Sequence, residues 1–422
     1  MTPDWISLFV LLLIIVLSRW EQINVGILAI GLAWLTGFYW AGIGLTDIFG
    51  AFPLSLFMIL FGVTFFFGLA QANGTLNKII DFVIRRARGR TFGLPILFFG
   101  LALVLAAIGQ GNIGAVALLS PLAIAIAVKT GISPFFMTVM LINGANAGTF
   151  SPFSSTGIIA GGLIGKLGLE MDPWTQVFLP SLLAQSFIAL GCYAVLITRM
   201  RRHQMARRFQ VDEIVKSPEP FGWHQAVTIL AIVLFVLGII FLKFDIGFWA
   251  ITLAACLMLC GAADGKTAMA AVPWSVIMMV SGVSMLINVM TKTGGLELFT
   301  GLLAQISNPV NVTGMLALIT GIISSYSSSS GVVMPAFIPL VPGLIEKIGG
   351  GDPVALVASI NVGSHVVDVS PLSTLGALCL AQAAKYENKT KLFRQLLVFG
   401  LSMSLVGASI CYLFFGRLGR YQ

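Results

Sequence analysis

Apolar residues in this chain come in long, unbroken runs, without the alternation of a barrel strand. A helix that crosses a bilayer needs about 20 such residues, and in hydrocarbon the backbone must satisfy its own hydrogen bonds. The pattern therefore predicts helices near 4–18, 23–41, 53–71, 174–198, 224–242, 246–263, 273–291 and 395–416. Two regions, 92–166 and 309–384, are too long and too interrupted to be simple spans. Amphipathic stretches, Thr75–Arg90 and Gly295–Ser307, precede them and are expected to lie along the interface.

Composition narrows the class. Of 422 residues, 58% are hydrophobic and 9% charged, against roughly 25% charged in an ordinary soluble domain. The longest polar stretch, Arg199–Gly222, is too short to bury a core of its own. The first apolar run follows Asp4, lacks a basic lead and has no small-residue cleavage site, so it reads as a retained helix and not a signal peptide. A net charge of +8 can indicate a nucleic-acid partner. Here the basic residues sit in short loops between spans, which is a topology signal instead. The five cysteines (Cys192, Cys256, Cys260, Cys379 and Cys411) all lie in apolar segments. Cys256 and Cys260 share a helix face without an accompanying histidine or acid, so all five read as small core residues and no metal site.

The two interrupted regions resemble each other. Gly144, Ser151, Pro152, Ser154 and Gly157 fall on Gly363, Ser370, Pro371, Ser373 and Gly376 at one constant offset of 219, as does Ser133-Pro134 on Asp352-Pro353. Pro121 falls on Pro339 one residue out of register. Such a match is expected of a duplication followed by drift. It divides the chain into a first repeat over 1–200, a linker over 201–222 and a second repeat over 223–422. Five crossings separate the starts of the two repeats, so the second is expected to be inverted. The basic residues give the same orientation independently. With Arg199–Gly222 in the cytoplasm, 18 of the 24 Lys and Arg residues are inside, which puts both termini in the periplasm of a bacterial-type inner membrane. Arg417 and Arg420 oppose this assignment.

In each repeat a run of small polar residues breaks an apolar stretch: Gly109-Gln-Gly-Asn-Ile-Gly114 in the first and Ser324-Ser-Tyr-Ser-Ser-Ser-Ser-Gly331 in the second. Irregular backbone at membrane depth is tolerated only inside protein or beside a wet cavity. The expected geometry is a re-entrant hairpin, over about 96–128 and about 309–348. The segments that follow, about 133–166 and about 353–384, carry the matched Ser-Pro motif and are expected to be discontinuous helices. Half-helix N-termini attract anions and free carbonyls coordinate cations. These breaks nominate Gly111, Asn112, Ser151, Ser154, Ser155 and Thr156 in the first repeat for an anion site. In the second they nominate Ser329, Ser330, His365, Ser370, Ser373 and Thr374. No Lys or Arg occurs in either hairpin tip or either Ser-Pro motif, so a bound dianion would rely on amides, hydroxyls, helix dipoles and a co-bound cation, Na⁺ or H⁺. Asp368 is the one acid inside a predicted span. It either holds that cation or caps the second half-helix. His365, three residues earlier, either donates to a substrate carboxylate or is structural.

At these residues the chain resembles the ion transporter superfamily that includes the divalent-anion/sodium symporters, with the greatest likeness to the malonate/dicarboxylate carrier (MatC-like) group. The symporters carry a Ser-Asn-Thr triplet at each hairpin tip. Here Gly111-Asn112-Ile113 and Ser329-Ser330-Gly331 stand at those places, and Asn112 and Ser329 keep the family residue type. The segment Gly148-Thr-Phe-Ser-Pro-Phe-Ser-Ser-Thr-Gly157 matches the malonate-carrier pattern. The resemblance implies an all-α polytopic protein with a scaffold and a moving, elevator-type transport domain, assembled as a homodimer. It implies cation sites near Asn112 and Gly148 and near Ser329 and Asp368, a small dicarboxylate as substrate and no organic cofactor. Other readings are the large membrane subunit of a tripartite binding-protein-dependent carrier, a channel, and an intramembrane enzyme. For the enzyme, Gly349-Gly-Gly-Asp352 matches half of an aspartyl-protease signature but has no Tyr-Asp partner.

Overall fold

The computed structural model describes residues 2–18, 20, 23–86, 93–202, 220–383 and 389–417. Most of the linker (203–219) and several basic residues of the orientation tally, among them Arg19, Arg88, Arg90, Arg207, Arg208, Lys216, Lys385 and Arg420, lie outside them. Every regular element among the described residues is helical. Six helices are long and apolar enough to cross a membrane: Leu45–Ala72, Leu94–Thr130, Pro173–Thr198, Trp274–Lys292, Ser329–Ile348 and Thr390–Gly416. The expected helices near 4–18, 23–41, 224–242 and 246–263 form as shorter apolar helices, starting at Pro3, Val25, Trp223 and Ile246. Two short helices, Leu45–Gly50 and Gly265–Ala271, had no counterpart in the hydropathy pattern. Each is followed within three residues by the proline at the N-cap of the next helix, Pro53 or Pro273, so a proline sets where Leu54–Ala72 and Trp274–Lys292 begin.

The halves exchange contacts reciprocally. Val25–Leu35 packs on Trp274–Lys292, where a Cβ on Gly26 would meet the carbonyl of Met278 and one on Gly282 the carbonyl of Gly26. Ile246–Leu259 packs on Leu54–Ala72 in the same way, Gly247 against the backbone of Ile59 and Gly62 against the carbonyl of Gly247. Close backbone approach at glycines is how helices associate where the hydrophobic effect cannot distinguish lipid from protein. The pattern extends to polar contacts: Thr293 Oγ1 donates to Ser7 Oγ (2.8 Å), and at equivalent positions Asn73 Nδ2 donates to Thr228 Oγ1 (2.7 Å). Leu54–Ala72 and Trp274–Lys292 run antiparallel. Asn288 Nδ2 reaches the carbonyl of Ala51 at one end (2.7 Å), and Phe61 stacks on Trp274 at the other (5.6 Å).

Both breaks expected in the Ser-Pro segments are present, with the same hydrogen bonds. Pro134–Gly148 stops, the chain turns through 149–154, and Ser155–Lys166 continues. Pro353–Val366 stops, turns through 367–373, and resumes as Thr374–Ala383. Ser154 N donates to Ser151 O (2.9 Å) and Ser373 N to Ser370 O (3.0 Å), while Phe153 N and Leu372 N reach Ser151 Oγ and Ser370 Oγ, each at 3.3 Å. Gly157 and Gly376 are needed because a Cβ there would lie 2.0 and 2.1 Å from the carbonyl oxygens of Ser151 and Ser370.

The polar run of the first repeat folds as a hairpin. Leu94–Leu105 runs parallel to Pro134–Gly148, since Gly144 abuts Phe99, Gly148 abuts Leu103, and Ser151 Oγ donates to Ala107 O at 2.7 Å. The returning arm, Gly111–Thr130, runs antiparallel to Pro134–Gly148: Asn112 meets Asn146, and the arm's far end leads into Pro134 through Gly131. The turn is tighter than the span 109–114 suggested. Gly109 (φ 129°) and Gly111 (φ 72°) make the reversal, so Asn112, Ile113 and Gly114 already form the first helical turn. In the second repeat Val312–Ser324 ends and Ser325–Ser328 form the turn. The returning arm is a succession of short segments, Ser329–Val333, Met334–Phe337, Ile338–Leu340 and Val341–Ile348, because Pro335, Pro339 and Pro342 remove backbone donors.

Cys379 and Cys411 are core residues as expected. Cys192 is half-buried, and Cys256 and Cys260 are exposed on Ile246–Leu259 and its end, a correction to the reading of all five as core, since among the described residues nothing covers that face of the helix.

Candidate functional site

Four interrupted elements converge on one buried polar cluster. Asp368 is 3% exposed. Its Oδ1 accepts from Ser329 Oγ (2.7 Å) and Ser373 Oγ (3.2 Å), and its Oδ2 from Asn146 Nδ2 (3.1 Å). Ser329 Oγ also lies 2.6 Å from Ser324 Oγ across the second hairpin turn. Asn146 joins the repeats. Its Nδ2 also donates to His365 O (2.8 Å), and its Oδ1 accepts from Asn112 Nδ2 (2.9 Å) at the first hairpin tip. The carboxylate thus touches its own broken helix, the hairpin of its own repeat and the broken helix of the other. The capping role is set aside, because its hydrogen bonds go to side chains while Ser373 stands at the start of the half-helix.

A cavity of about 300 Å³ opens beside this cluster. One wall is Leu60, Thr64, Phe67, Gly68 and Gln71 with Pro273, Val276 and Ile277. The other is Gly109–Gly114, Ser155 and Ser330. The N-termini of Gly111–Thr130 and Ser155–Lys166 face it, as does that of Trp274–Lys292 from the opposite wall. Among the described residues, none that line it is charged. At its rim Gln110 Nε2 donates to Gln71 Oε1 (2.8 Å). A second cavity, of about 420 Å³, lies at the other hairpin turn and is lined by Tyr326, Ser327, Ser328, Ser373 and Thr374 together with Ser18, Trp20 and Ser275. It too has helix N-termini in its wall, and among the described residues none that line it is charged.

The residues nominated from sequence divide into three groups. Gly111, Asn112, Ser155 and Ser330 line the first cavity, and Ser373 and Thr374 the second. Ser329 belongs with Asp368 in the buried cluster. The third group faces neither cavity. Ser151 and Ser370 shape the two breaks. Ser154 and Thr156 are buried against Thr149, whose Oγ1 lies 3.4 Å from Ser154 Oγ and 2.9 Å from Thr156 Oγ1. Gly148 is a helix–helix contact whose carbonyl accepts from Ser151 N (3.2 Å). His365 turns inward: its Nδ1 lies 3.0 Å from Asn361 O and 2.9 Å from Ser364 Oγ, and its ring packs edge-on against Phe150 (4.7 Å). A serine or glycine in a turn has short reach, so the atoms that make the turn are used up locally. Asp352, the residue behind the protease alternative, caps Pro353–Val366 by accepting from Val354 N (3.0 Å) and Ala355 N (3.2 Å).

Asn146, Thr149 and Gln71 were not nominated. The repeat offset held the missing signal for the first two: Asn146 falls on His365 and Thr149 on Asp368.

The fold is all-helical and multi-pass among the described residues, and the chain is similar to a carrier family and to a transporter. Residues 1–149 match the family model described as the dicarboxylate carrier protein MatC N-terminus. Over 99% of this chain and 98% of the other, the structure is similar to the YdaH transporter of Alcanivorax borkumensis, whose topology is described as unusual, with a TM-score of 0.63 at 15% sequence identity. No curated protein matches this chain in sequence.

Proposed function

We propose that this chain is a secondary active transporter that carries a small dicarboxylate across a bacterial-type inner membrane. The observation that carries the proposal is the first cavity, where helix N-termini, Asn112 and Ser155 face about 300 Å³ of space with no charged group among the described residues of its walls. Partial positive charge at helix ends suits carboxylates. The volume is at the lower limit for small-ligand sites. Substrate class is further supported by the carrier-family match over residues 1–149.

In this reading the halves are inverted repeats, supported by the antiparallel run of Leu54–Ala72 and Trp274–Lys292. Asp368 and Ser329 hold the coupling cation, Na⁺ or H⁺. A buried carboxylate with hydroxyl and amide donors but no basic partner among its described contacts is best satisfied by a cation. The hairpins and broken helices move as an elevator against the remaining spans of a homodimer, with both termini in the periplasm.

The test is counterflow in proteoliposomes containing this chain alone, with labelled mono-, di- and tricarboxylates, with and without Na⁺ and pH gradients. Dicarboxylate-selective, cation-stimulated exchange is expected. Flux that appears only when a receptor protein and a small membrane subunit are added would overturn the reading in favour of a tripartite carrier. Product formation without flux would favour an enzyme.

A further inference from the structure

We infer that Asn146 is the residue through which the anion cavity and the cation-holding carboxylate are coupled. The inference rests on the transport reading above and assigns a positioning role to a side chain that neither cavity exposes.

The hydrogen bonds fix the orientation of two amides. A backbone carbonyl only accepts, so the Asn146 atom 2.8 Å from His365 O must be Nδ2. That nitrogen spends its second N–H on Asp368 Oδ2 (3.1 Å), which leaves Oδ1 as the atom facing Asn112. Asn112 Oδ1 is occupied by Ile113 N (2.9 Å), so the group it turns toward Asn146 is Nδ2 (2.9 Å). The result is a directed chain: Asn112 N–H to Asn146 carbonyl oxygen, then Asn146 N–H to the Asp368 carboxylate. Asn146 is 1% exposed, and its Nδ2 hydrogens and Oδ1 are all engaged within the protein.

Such chains polarise along their length. When Asp368 is an uncompensated anion, it draws the Asn146 N–H toward itself and makes Oδ1 a stronger acceptor, which pins the Asn112 amide. When a cation neutralises Asp368, that pull relaxes and the Asn112 amide is released to a carboxylate in the cavity it lines. An anion in the cavity in turn favours a neutralised Asp368. Linkage requires the effect to be equal in both directions. The equivalent position in the other repeat holds His365, whose ring is turned to Phe150 and to its own helix, so the second cavity has no matching route. Besides His365, the elements that meet at Asp368 carry Lys129, Lys166, Glu346 and Lys347 at the far ends of their helices, Tyr326 in the second hairpin turn and Cys379 in Thr374–Ala383.

The experiment measures equilibrium binding of labelled succinate and malonate to the purified full chain in nanodiscs, at zero and saturating Na⁺ and at two pH values. Wild type is compared with Asn146→Ala, Asn146→Ser and Asn143→Ala. Asn143 is the control: it is buried on the same helix, and its Nδ2 serves only that helix, donating to Val139 O (2.8 Å). The cation that couples is expected to raise wild-type affinity by roughly tenfold or more, and Asn143→Ala is expected to match wild type. In Asn146→Ala the effect should fall to within about twofold of unity while anion binding persists. If the alanine variant does not purify as a monodisperse species, Asn146→Ser, which keeps only one hydroxyl, is read in its place. Full coupling in a folded Asn146 variant overturns the inference alone, as does an equal loss in Asn143→Ala. Absence of any cation effect in wild type overturns the cation reading of Asp368 and this inference with it.

Discussion

Replacing Asp368 by Asn removes one charge while leaving the shape of the cluster. The carboxylate accepts three hydrogen bonds, from Ser329, Ser373 and Asn146. An asparagine can keep all three: its oxygen faces Asn146, and its amide donates to the two serine hydroxyls, which rotate to accept. Bonds to a charged group are worth about 1.5–3 kcal/mol and neutral ones about 1, so the gross loss is about 3 kcal/mol over the three. The variant also no longer buries an ion, whose effective penalty is several kcal/mol. The terms oppose each other, and the net change should lie within about 2 kcal/mol, a shift of a few degrees in Tm for a protein of this size. Asp368→Ala differs in kind, because it leaves three buried donors unpaired at about 1–3 kcal/mol each. Thermal unfolding in detergent should therefore rank wild type and Asp368→Asn close together, with Asp368→Ala well below. In proteoliposomes Asp368→Asn should lose the cation dependence of dicarboxylate uptake, its flux with and without the cation differing by less than about twofold. A folded Asp368→Asn that keeps the wild-type cation response would refute the assignment of the coupling ion to this carboxylate. An alanine variant as stable as the asparagine one would refute the account of the cluster's energetics.

Three further outcomes are expected. Gly157→Ala and Gly376→Ala each drive a methyl into a carbonyl 2.0 or 2.1 Å away, so each should cost at least the upper end of the 1–3 kcal/mol typical of overpacking, read as a fall in Tm or in yield of folded protein. Gly111→Ala puts a side chain at φ 72° and ψ 170°, a region essentially reserved for glycine, with its Cβ 2.7 Å from Ser155 Oγ; a loss of about 1–3 kcal/mol in stability and a larger loss of uptake should follow, and unchanged uptake would argue against the first cavity as the substrate site. Asp352→Ala should cost about 1 kcal/mol, the value of an N-cap, and leave uptake unchanged within error; abolished transport would reopen a functional role for the Gly-Asp motif.

The elements of this protein were legible in its sequence because each depends on local chemistry. Long apolar runs produce helices in any hydrocarbon setting, and Ser151-Pro152 and Ser370-Pro371 interrupt them wherever they are placed, since a missing donor and a ring clash are properties of the residue itself. The repeat offset placed both breaks, and Asp368 stood out as an acid in an apolar segment. Only the tertiary structure decided which polar atoms remain available. Ser151 and Ser370 looked like ligands, but their hydroxyl oxygens accept from the turns they make and Ser151 Oγ donates to the neighbouring hairpin, whereas Ser329 was left facing Asp368. Asn146 was silent in the sequence because an amide in a helix has no preferred partner of its own. Its role came from three groups, on the first hairpin tip and the second broken helix, that folding brought within 3.1 Å of it from as far as 222 residues away.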